Sequence, residues 1–230
     1  MNQFSQSISE LHLLKHPFYQ DWMAGKLSQE TLRDYATQYY THVDAFPRYL
    51  SSIHSQCEDP QARREILENL VDEEGASNGI PHPELWLRFA EGLGVSRKEV
   101  LNAEPRSAIG QVKETFFNLS RSSFCEGLGA LYAYESQIPE IAESKIQGLK
   151  AHYGINDERT LSFFETHKTA DVYHRESISK KLKARFKTVP FFIGVYGLST
   201  GPRRFSTQIK NLNSSLFKFQ YLPFKIGVIT

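Results

Sequence analysis

The chain has 230 residues, 27 Lys or Arg against 26 Asp or Glu, and 40% hydrophobic residues, enough for the core of one domain or of a domain with an appendage. Two distant cysteines, Cys57 and Cys125, stand in no ligand spacing, which argues against a disulfide framework and reads as two small core residues of a reducing compartment. With no basic-then-apolar leader and no apolar run near the roughly 18 residues of a membrane span, the expectation is a cytoplasmic protein that binds neither membrane nor nucleic acid.

Residues 4–24 place Phe4, Ile8, Leu11 and Leu14 at helical spacing and continue into His16-Pro17-Phe18-Tyr19 and Trp22. This predicts a short helix, a proline-marked turn and a second short helix. From the residues alone Tyr19 is a core residue with a hydrogen-bonded hydroxyl. Ser28 caps the next helix, which runs through Tyr35, Tyr39, Phe46, Tyr49 and Ile53, with a kink or break expected at Pro47. Its aromatic density predicts a helix packed on several sides, in preference to the wall of a ligand pocket.

Asp59-Pro60 opens a helix over 60–74, with Ile66, Leu67, Leu70 and Val71 toward the core and Asp72-Glu73-Glu74 at its end. Carboxylates at a helix C-terminus oppose the helix dipole at a cost of up to about 1 kcal/mol, so a compensating role such as metal binding is expected. After a Gly-Ala-Ser-Asn-Gly loop, His82 sits between two prolines at the entrance of a helix over 83–93; the plainer reading is a capping or exposed histidine. Ser96 and Glu99 form a capping box, and a further helix covers 107–122. One long helix is expected over 124–152, kinked after Pro139, with Glu135 among apolar neighbours and Lys145 ten residues on, near the same face. A buried carboxylate there must be paired, hydrogen-bonded or metal-bound to stay charged.

The last amphipathic helix, 161–176, carries His167, Asp171 and His174 at spacings of four and three residues, one stripe on one face. The alternative is a solvated polar face. Together with Glu73, His82 and Glu135 the stripe makes three carboxylates and three imidazoles in an all-α chain, the inventory of a dinuclear iron or iron–manganese site in a helical bundle. Such a site uses dioxygen, and tyrosines beside it are oxidisable.

Longer stretches sharpen this. His16-Pro17-Phe18-Tyr19, Tyr39-Tyr40-Thr41-His42, Ala45-Phe46-Pro47-Arg48-Tyr49-Leu50, Asp72-Glu73-Glu74, the segment from Leu131 through Tyr134-Glu135-Ser136-Gln137-Ile138-Pro139, and the His167–His174 stripe resemble the TenA/PqqC-type, haem-oxygenase-like superfamily, and most closely its chlamydial PqqC-like branch. The resemblance spans about 8–182. It implies a bundle of about seven helices around a dinuclear metal centre held by Glu73, His82, Glu135, His167, Asp171 and His174, with Glu74 an alternative to Glu73. It also implies oxygen-dependent formation of p-aminobenzoate for folate synthesis, with Tyr19 consumed as aromatic source, Lys145 as amino donor, and Tyr35 and Tyr134 as radical or hydrogen-bond partners. A homodimer is expected. The alternatives are a protein that binds a host partner of the death-domain type and a PqqC-like protein without activity.

Residues 1–182 read as the helical domain and 183–230 as a divergent basic, aromatic tail. Residues 177–230 hold ten Lys or Arg and no Asp or Glu, a balance of +10 against −9 for the rest of the chain. With no helical periodicity, the tail reads as a replaced or frameshifted C-terminus in place of a helix that would close the bundle.

Overall fold

His16 and Pro17 set the start of the first helix, α1 (Pro17–Met23): proline occupies the first turn, where no N–H is needed, and His16 Nδ1 accepts a hydrogen bond from Phe18 N at 3.0 Å. A 3-10 turn, Leu13–Lys15, precedes it. The computed structural model describes residues 12–76 and 78–168, and every regular element in them is helical.

Ser28 caps α2 (Gln29–Ser55) by accepting from Thr31 N. Of the kink or break expected at Pro47, the break does not occur: the helix runs on through the proline. Tertiary packing offsets the lost backbone hydrogen bond: Tyr35, Ala36, Tyr39, Val43, Ala45, Phe46, Tyr49, Leu50 and Ile53 are all buried, so burial along the full length keeps the helix continuous through the proline. The helix is the post around which α3 (Pro60–Glu73), α4 (His82–Gly92), α5 (Arg97–Leu101), α6 (Ser107–Ser122) and α7 (Phe124–Glu135) pack. Asp59 caps α3, and the Ser96–Glu99 capping box starts α5 as expected. Leu67, expected on the core face of α3, is exposed. Cys57 is buried and Cys125 exposed, so only one of the two is a core residue.

The long helix expected over 124–152 is two helices. α7 ends at Glu135 and α8 (Ile138–His152) begins after a two-residue break, with Pro139 in its first turn. Gln137 holds the joint: Nε2 donates to Ala133 O at 2.6 Å, and Oε1 accepts from Leu13 N at 2.9 Å. Proline here starts a helix where a bend within one was expected, and the shared face inferred for Glu135 and Lys145 does not exist. α8 packs on α1. A last helix, α9, runs from 158 to 168, the final described residue, with Asp157 Oδ1 accepting from Thr160 N at 2.9 Å. A Cβ on Gly92 would lie 2.1 Å from Thr160 Oγ1, so α9 closes on α4 only because residue 92 lacks a side chain. None of the described helices is long and apolar enough to cross a membrane.

Candidate metal centre

Two histidines and a carboxylate meet where α3, α4 and α9 converge. Glu73 is the last residue of α3 and is buried, while Glu74, its C-cap, is exposed. The chain then turns back through Gly75 (φ 65°), where a Cβ would sit 2.5 Å from Pro81 N. Only glycine fits that turn. The turn returns His82, the first residue of α4, over Glu73: His82 Nδ1 lies 2.9 Å from Glu73 Oε2. His82 is buried and caps nothing, which removes the plainer reading of it. Burial works to lower its pKa, but the charge of Glu73 and the contact with it prevail and raise it.

His167 projects from α9. Its ring is 4.5 Å from that of His82 and 4.1 Å from that of Phe163. Nδ1 lies 2.7 Å from Phe163 O, and donating there leaves the ring lone pair on Nε2. One ligand-capable atom from each of Glu73, His82 and His167 lies within 4.8 Å of the others, and all three residues are buried.

Glu135, at the end of α7, lines the same cleft as Glu73 and His167. Its Oε1 accepts from Asn69 Nδ2 at 3.0 Å; its Oε2 is buried with no hydrogen-bond partner among the described residues. Burial pushes this carboxyl up to about 8; the Asn69 hydrogen bond opposes the shift and Glu73 adds to it. Two imidazoles and the Glu73 carboxylate, with the Glu135 oxygen in the cleft that Glu73 and His167 also line, are donors that iron, manganese or zinc accepts, and the residues present fit such a cation. Asp171 and His174 lie outside the described residues.

Lys145 occupies a second buried site, in α8. Its Nζ donates to Tyr35 Oη and lies 5.4 Å from the ring centre of Tyr19, with the rings of Trp22, Tyr35, Tyr39, Trp86 and Phe164 within 6 Å. Among the described residues no carboxylate acts on this amine, and burial pulls it down to about 7. Tyr19, 2% exposed, is packed edge-on against Phe18. A run of phenols joins the two sites: Tyr134, next to Glu135, shares a 2.7 Å hydrogen bond with Tyr39, whose ring lies 5.2 Å from that of Tyr35. Burial raises the pKa of Tyr35, Tyr39 and Tyr134, so all three stay protonated.

The structure thus brings together Glu73, His82, Glu135 and His167 around one cleft, and Tyr19, Tyr35 and Lys145 in the adjoining box. Three residues beyond the sequence reading belong with them: Asn69, Tyr39 and His42. Their signal was positional. Asn69 lies four residues before Glu73, and Tyr35, Tyr39, His42, Phe46 and Tyr49 repeat at four and three, one face of α2. That face is buried on several sides, as expected, and His42, Val43 and Phe46 also wall the cleft.

The chain is 44% identical over 179 residues to a 4-aminobenzoate synthase of Chlamydia pneumoniae, covering 77% of this chain and 79% of that one. It is 39% identical over 190 residues to a 4-aminobenzoate synthase of Nitrosomonas europaea, covering 76% of each. Among solved structures, a TenA homolog from Pseudomonas syringae superposes with a TM-score of 0.77 at 14% identity, over 95% of this chain and 90% of that one, and so shares the fold. The profile of the TENA/THI-4/PQQC family matches residues 3–185, and the chain belongs to that family.

Proposed function

We propose that this chain is a metal-dependent 4-aminobenzoate synthase that draws the aromatic ring from its own Tyr19 and the amino nitrogen from Lys145. The observation that carries the reading is the buried pairing of these two side chains, Nζ 5.4 Å from the phenol ring, in a box joined by tyrosines to a carboxylate–imidazole cluster. The names of the two relatives, at 44% and 39% identity, support the product. In this reading Asp171 and His174 complete a six-residue set with Glu73, His82, Glu135 and His167. Bound there, a pair of iron ions or of iron and manganese supplies one-electron oxidation with dioxygen as co-substrate.

The chain's own residues do the rest. Burial keeps Lys145 partly unprotonated near neutral pH, so Nζ offers a lone pair where a surface lysine would not. Tyr35 Oη fixes the orientation of that amine by accepting its N–H. Tyr19 and Lys145 are 2% and 4% exposed, which excludes water and gives the reacting pair a high effective concentration. Tyr134, Tyr39 and Tyr35 cannot ionise in their surroundings, so each gives up an electron and a proton together.

The test uses full-length protein purified after iron and manganese supplementation, with Tyr19→Phe beside it. The parent is expected to hold metal, to lose mass at Tyr19 after exposure to oxygen, and to rescue a p-aminobenzoate auxotroph. Tyr19→Phe keeps its metal and loses both other properties. Rescue by Tyr19→Phe, or a supplemented parent with no metal, overturns the reading.

A further inference from the structure

His42 lies in the middle of α2 with no exposed surface. The rings of Tyr39, Phe46, Tyr49, Phe116 and Tyr134 enclose it at centroid separations of 5.0–5.8 Å. Among the described residues neither Nδ1 nor Nε2 has a hydrogen-bond partner. A neutral imidazole always carries one donor and one acceptor nitrogen, so this ring bears the desolvation cost of two polar atoms that a phenyl group in the same aromatic box would avoid. The burial that lowers its pKa to about 3 keeps it neutral.

The polar space that His42 borders is the cleft it lines with Glu73, Glu135 and His167. Among the described residues the enclosed room there suits a molecule the size of water or dioxygen. We propose that His42 is a positioning residue whose ring N–H hydrogen-bonds a small exogenous ligand, of dioxygen size, taken up at this cleft. This rests on the metal reading of the site. It adds a role for a residue that holds the incoming ligand without holding the metal.

The probe is azide, a small triatomic anion that binds open metal positions, titrated by absorbance into metal-loaded full-length protein. His42→Phe is expected to keep the parent's metal content and to unfold at the same or a higher temperature, because the orphaned nitrogens are gone. Its azide Kd rises about tenfold, the loss of one hydrogen bond to a charged ligand. His42→Gln, which restores a donor, stays within about threefold of the parent. Should the Phe variant not fold, His42→Leu carries the same expectation. An azide Kd unchanged by the apolar variants overturns the inference and leaves the proposed function standing. Loss of metal in those variants with retention in Gln also overturns it, because His42 would then serve the metal itself. A parent that binds no metal overturns both readings together.

Discussion

The cleft around Glu73 and the box around Lys145 adjoin in the same bundle and bury ionisable groups in opposite ways. In the cleft, carboxylates and imidazoles are gathered together, with Glu73 and His82 2.9 Å apart and one Glu135 oxygen without a partner among the described residues. In the box a single amine is surrounded by rings and one phenolic oxygen. The first arrangement sets Glu73 against His82 and offers oxygen and nitrogen donors to a cation, although burial alone holds metal-free Glu135 protonated. The second strips charge and yields a nucleophile. The two regions also titrate with opposite sign. In metal-free protein, burial raises Glu135 from 4.5 to about 8, so its contribution to stability falls as pH rises through that window. Burial lowers Lys145 from 10.5 to about 7, so stability rises with pH across its window, because there the unfolded chain binds the proton and the folded chain does not.

The largest effect expected is at the cleft. His82→Ala removes one of the three clustered ligand-capable atoms and should weaken metal binding by more than about 100-fold, read by metal content after dialysis. An unchanged content would show that the gathered charges serve another purpose. Lys145→Met tests the box. Between pH 8 and 10 the parent should gain up to about 1.4 kcal/mol per pH unit in urea unfolding, and the variant should lose that slope and be the more stable protein at pH 8. A slope that survives the substitution belongs to another group.

Asn69→Ala leaves every proposed ligand in place and frees Glu135 Oε1. It should weaken metal binding about 10-fold to 100-fold, the cost of losing an outer hydrogen bond, with the protein still folded. The smallest effect is expected where the two regions join. Tyr39→Phe breaks the 2.7 Å bond to Tyr134 and should cost about 1 kcal/mol of stability. The double substitution with Tyr134→Phe should cost less than the sum of the two, measured as a thermodynamic cycle. Additivity would mean that the phenols do not communicate.

Much of this site is legible in the chain itself, and the reasons are local. Helical spacing and capping chemistry recovered the elements: Ser28, Asp59 and the Ser96–Glu99 pair start helices where they were expected to. Carboxylates and histidines in apolar or constrained places singled out Glu73, His82, Glu135 and His167, because burying such groups is costly unless something compensates them. Proline was the weak point, since its effect depends on what surrounds it. Pro47 is tolerated inside a buried helix, whereas Pro139 starts a new one.

What the sequence by itself determined is therefore the inventory: a helical chain, the residue types of a carboxylate–imidazole cluster, and a family resemblance that implies roles for Tyr19 and Lys145. What only the tertiary structure decided is which groups meet. Glu73 was separated from Glu74 by which of the two turns inward at the end of α3. Lys145 joined Tyr19 by packing α8 on α1, where the shared face with Glu135 inferred from the chain does not exist. Asn69 stood in no motif, and Tyr39 and His42 stood in a family stretch without a role, until their neighbours were known. The physical reason is that burial and pairing, the terms that set pKa and ligand strength, depend on contacts between helices distant in sequence, which periodicity within one helix does not encode.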